Sequence, residues 1–89
     1  MHKNPLPPTT PLLAILRQLG TNERRDEFAS LAGTSTAYLY QLASCKRGAC
    51  RVPLAKGIAD ASIVMHERYG IDVITMDALA TMCQMPEKD

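Results

Sequence analysis

Eighty-nine residues, 46% hydrophobic and 21% charged, suit one small globular domain and exclude a disordered chain. No stretch approaches the roughly 20 apolar residues of a membrane span. The opening MHKNPLPPTTP lacks the apolar run of a signal peptide, so the cytosol is the expected location. Net charge is +1, yet residues 1–51 carry seven Lys/Arg against three acids (+4), and residues 52–89 carry three against six (−3). A basic half beside an acidic half points to one side that faces a polyanion.

Residues 1–9 hold three of the six prolines and read as a flexible arm. Thr10 is placed to cap a first helix, with Pro11 at its first position. Leu12, Ile15, Leu16 and Leu19 follow helical spacing, and Gly20 stops the helix. Thr21 or Asn22 caps a second helix that runs to about Ala32 and carries Phe28, Leu31 and Ala32 on one face. Gly33 suits a left-handed turn. Ser35 or Thr36 then caps a third helix reaching about Ser44, with Leu39 and Leu42 inward.

Residues 44–51, SCKRGACR, form a basic loop. Val52 or Pro53 opens a long fourth helix with apolar Leu54, Ile58, Ala61, Met65 and Tyr69. Gly57 inside it costs about 1 kcal/mol relative to alanine, which a close packing contact explains. Gly70 ends this helix. Ile63 and Val64 fall on a second apolar face, which needs a partner: the chain's own tail or another subunit. Ile71, Val73 and Ile74 favour an extended tail, and Thr75 caps a last helix with Met76, Leu79 and Met82. Residues 84–89 read as a frayed end. The expected fold is thus one all-α domain over 10–83, a bundle of about five helices.

The second and third helices, joined at Gly33 with small Ala29 at their crossing, form a helix-turn-helix pattern, whose second helix enters the DNA major groove. A glutamine amide at Gln41 matches the adenine edge, Ser35 and Thr36 can donate to a base or phosphate, and Ala37 can meet a thymine methyl. Tyr38 and Tyr40 are long enough to reach phosphates. Lys46, Arg47 and Arg51 would neutralise phosphates without reading sequence.

The run from Phe28 to Arg51, with Leu54, Ala55 and Ile58 beyond it, resembles the Cro-like, phage-repressor-type proteins of the lambda-repressor-like fold, nearest to the YdaS-type subgroup. The shared features are Ala29, the Gly33 turn, the YLYQLA run at 38–43, and the basic loop. That resemblance implies an operator-binding regulator, a phage or prophage repressor or an antitoxin-type autoregulator. The implied partners are double-stranded operator DNA, a second copy in a homodimer, and a toxin in the antitoxin case. By position it implies base contacts from Ser35, Thr36, Ala37, Tyr40 and Gln41. Asp26 departs from the pattern, standing where such proteins often have a phosphate-touching glutamine; Arg24 and Arg25 beside it are placed to take that role. Ile63 and Val64 are the candidate dimer contact.

Other chemistry finds little support. Cys45 and Cys50 are spaced C-x4-C, Cys83 is remote, and His2 and His66 complete no zinc set. Three thiols in a reducing compartment are expected free. No nucleophile constellation or phosphate-binding glycine loop occurs, so no enzyme, metal or cofactor is expected. Two rival readings remain. One is a small helical protein-interaction module without DNA binding, suggested by the near-neutral charge, Asp26 and the Ile63–Val64 face. The other is a DNA-bending architectural factor, suggested by the Pro-rich arm alone.

Overall fold

The computed structural model describes residues 10–46 and 51–82. The expected arm at 1–9, the tail at 84–89, Arg47, Cys50 and Cys83 lie outside them. Among the described residues there are five α-helices and no strand: α1 Pro11–Leu19, α2 Asn22–Ala32, α3 Thr36–Ala43, α4 Val52–Tyr69 and α5 Met76–Thr81. Four start on a hydroxyl that accepts a backbone N–H one turn ahead, namely Thr10, Thr21, Ser35 and Thr75. α4 has no such side-chain cap; it opens at Arg51 with Pro53 in its first turn. Gly20, Gly33 and Gly70 close α1, α2 and α4 in the left-handed region, as expected.

The core is aliphatic around one aromatic ring, Phe28 of α2, which is fully buried with Leu12, Leu16, Leu39, Ile58 and Met65. The most extensive contact is α2 against α4. It depends on Gly57. A Cβ there would stand 2.6 Å from the Ala32 carbonyl oxygen, so the two backbones meet where only glycine fits. The close packing expected at this glycine is therefore present. α3 is seated against α1 and α2. The Thr10 hydroxyl caps α1 and also donates to the Ala43 carbonyl at 2.8 Å, fastening the end of α3 to the start of α1.

Segment 71–75 returns along α4, and side chains satisfy part of its backbone. Gln18 accepts the Asp72 N–H at 2.8 Å and donates to its carboxylate at 3.0 Å. His66 Nδ1 donates to the Ile71 carbonyl at 2.6 Å. Ser62, fully buried, accepts the Ile74 N–H at 3.0 Å and lies 2.7 Å from the Ala59 carbonyl. Ile71 and Ile74 are buried, whereas Val73 points out.

Four expectations need correction. Leu31 is 44% exposed, because α2 turns Phe28, Ala29 and Ala32 inward and leaves position 31 on the flank. Tyr69 is an exposed residue bound to α2 rather than a core residue of α4. Met76 is exposed, and Leu79 is the buried side chain of α5. Cys45 is disulfide-bonded, not a free thiol.

Candidate nucleic-acid interface

α3 presents one face to the core and the other to solvent. Leu39, Leu42 and Ala43 are buried. Opposite them, Ala37, Tyr40 and Ser44 are exposed, with Thr36 and Gln41 half-buried beside them. These positions recur at helical intervals and make one outward stripe. Sequence reasoning missed Ser44, although its spacing from Ala37 and Tyr40 places it on that stripe.

The helix is rigidly closed at both ends. Ser35 accepts the Tyr38 N–H at 3.2 Å, so its hydroxyl is the N-cap. At the other end the Cys45 N–H reaches the Leu42 carbonyl and the Lys46 N–H reaches the Gln41 carbonyl, each at 3.0 Å. That is a Schellman closure, normally given to glycine. Here Cys45 takes it with φ of 64°, a conformation uncommon for a non-glycine residue. The Ser44 hydroxyl adds a 2.8 Å bond to the Tyr40 carbonyl.

The other predicted site residues divide into two groups. Lys46 and Arg51 are exposed on either side of the undescribed stretch that holds Arg47. Tyr38 is half-buried and packs against the core. Arg25 is half-buried; its Nε donates to the Leu16 carbonyl at 2.7 Å and its Nη1 to Asn22 at 3.1 Å, tying α1 to α2. The Arg24 guanidinium lies 4.3 Å from the centre of the Tyr69 ring, a cation–π contact. Glu27 completes that cluster by pairing with Arg68 and accepting from the Tyr69 hydroxyl at 2.7 Å. This hydrogen bond is the leading cause of a raised Tyr69 pKa; desolvation and the Glu27 charge add to it, and Arg24 and Arg68 oppose it. Ile63 is 48% exposed and Val64 half-buried, because segment 71–75 runs along Ser62 and His66 and leaves Ile63 uncovered.

Asp26 has a partner. The Thr36 hydroxyl donates to its carboxylate at 2.5 Å, joining α2 to the first residue of α3. A carboxylate beside a helix N-terminus is favoured by the helix dipole.

Among the described residues no group of three or more His, Cys, Asp or Glu could hold a metal ion. No helix of the described residues is long and apolar enough to cross a membrane. No family model, curated protein or solved structure matches the chain.

Proposed function

We propose that this protein is a Cro-like transcriptional regulator that binds double-stranded DNA through a helix-turn-helix formed by α2 and α3. The observation that carries the reading is the outward stripe of α3. Ala37, Tyr40 and Ser44 are exposed on a helix whose other face is locked into the core. In this reading α3 lies in the major groove and Gln41 reads a base edge. Ala37 and Tyr40 line the groove beside it, and Ser35 and Thr36 contribute from the helix start. Lys46 and Arg51, with Arg47, neutralise phosphates, while Arg24, Arg25 and Tyr38 join them at the edge. The protein acts as a repressor or an antitoxin-type autoregulator. It works as a homodimer joined through the Ile63–Val64 face.

A salt titration of duplex binding tests this. The logarithm of affinity should fall linearly with the logarithm of salt concentration, by about 0.9 per phosphate neutralised. Lys46→Ala should weaken binding to all sequences alike and reduce that slope by about 1. Gln41→Ala should lower discrimination at one base position by roughly 1–3 kcal/mol. Equal, weak binding to random duplex and to selected operator would refute the reading.

A second reading has its own support. Ile63, Val73 and Met76 are exposed apolar side chains on α4, segment 71–75 and α5, which suits a protein-interaction module without DNA binding. Duplex binding by the wild-type protein separates the two, and light scattering of Ile63→Asp shows whether that face joins two copies.

A further inference from the structure

Resting on the DNA-binding reading, we propose that Asp26 and Thr36 act together as a specificity element at the start of α3. Their contact leaves this pair of side chains with acceptors alone, so the base that faces the pair is selected as cytosine or adenine over guanine or thymine.

The argument is a proton count. A threonine hydroxyl has one proton and two lone pairs, and an ionised carboxylate has lone pairs only. At 2.5 Å the single proton of Thr36 is given to Asp26. What the pair then offers outward is oxygen lone pairs. Asp26 is exposed and Thr36 half-buried, so these atoms remain within reach of a ligand. Thr36 stands one position before exposed Ala37 and one helical turn before exposed Tyr40, on the outward stripe.

In the major groove, cytosine presents its N4 amino group and adenine its N6 amino group as donors. Guanine presents the N7 and O6 acceptors, and thymine its O4 acceptor. An acceptor-only element therefore pairs with cytosine or adenine and meets guanine and thymine lone pair to lone pair. The same logic disfavours a phosphate oxygen here. The residue that replaces the family's phosphate-touching glutamine thus becomes part of base selection. Gln41 differs, because its amide both donates and accepts.

Selection from a randomised duplex library, with sequencing of the bound fraction, tests the inference. The wild-type protein should enrich C or A at one position per half-site, about tenfold over G or T. In Asp26→Asn the side chain gains N–H donors, and that same position should admit G and T. Thr36→Val removes one acceptor oxygen and the hydrogen bond that holds the Asp26 carboxylate at the start of α3, and should weaken the preference there. It leaves Asp26 unsubstituted, so it also serves as the check should Asp26→Asn not fold, which circular dichroism reports. The inference is overturned if the wild type enriches G or T at the position these variants alter, or if neither folded variant alters any position. A wild-type library with no enrichment anywhere would instead bring down the regulator reading, and this inference with it.

Discussion

α2 and α3 are neighbours separated by three residues, and they use their polar side chains in opposite ways. α2 directs its charges at other elements: Arg25 to the end of α1, Asp26 to the start of α3, Glu27 to Arg68 and Tyr69 of α4. α3 holds itself in place with apolar Leu39, Leu42 and Ala43 and turns Ala37, Tyr40 and Ser44 to solvent. One helix fastens and the next displays. Burial of aliphatic groups carries most of the stability, so a display helix with one apolar face needs no polar residue on its other face to stay folded. That leaves its outer residues open to change without loss of the fold.

The contrast can be broken from the inside first. Leu39 is fully buried, and Leu39→Ala should cost about 2–5 kcal/mol, read by urea denaturation, with DNA binding lost only as the fold is lost. Gly57→Ala comes next. The Cβ would meet the Ala32 carbonyl oxygen at 2.6 Å. Overpacking typically costs 1–3 kcal/mol, which outweighs the gain of about 1 kcal/mol in helix propensity. A net stabilisation would show that α2 and α4 can separate freely. Tyr40→Ala, one residue along from Leu39, should stay within about 0.5 kcal/mol of wild type while weakening operator binding. A large stability loss there would mean that the display face is structural.

The mildest test concerns pH. The Tyr69 phenol donates to the Glu27 carboxylate, which favours its protonated form and raises its pKa above 10.0. The contact therefore contributes stability at pH values below about 10 and loses it as pH climbs through the raised value. Glu27→Gln should return the Tyr69 titration, followed by NMR, toward its ordinary midpoint.

Local chemistry was readable in advance, and long-range chemistry was not. The caps at Thr10 and Thr75 and the stops at Gly20, Gly33 and Gly70 depend on neighbours within one turn, so the amino-acid order predicts them; at α2 and α3 it left two candidates each, of which the structure uses Thr21 and Ser35. Leu31 was misplaced because α2 carries few apolar residues, and two neighbouring stripes fit them about equally. Gln18 with Asp72, and Ser62 with Ile74, join residues far apart in the chain that no periodicity links. Asp26 was legible as an oddity, but its partner, ten residues on, follows only from how α2 and α3 cross. Outward Ala37 and Tyr40 were legible because Leu39 and Leu42 fix the phase of α3, whereas Ser44, on the same stripe, was missed and Tyr38 packs against the core. The Cys45 bond was missed because spacing alone does not decide whether a thiol is oxidised.

The bonds from Gln18, His66 and Ser62 hold segment 71–75 without any ladder of backbone partners. The α5 end is therefore joined to the rest by these few polar bonds and by three buried side chains, Ile71, Ile74 and Leu79. Native-state amide exchange should find this end detaching as a unit, at a lower opening free energy than the α2–α4 crossing. Within it, the Ile74 amide, bound to a buried oxygen, should trade its proton later than that of Asp72.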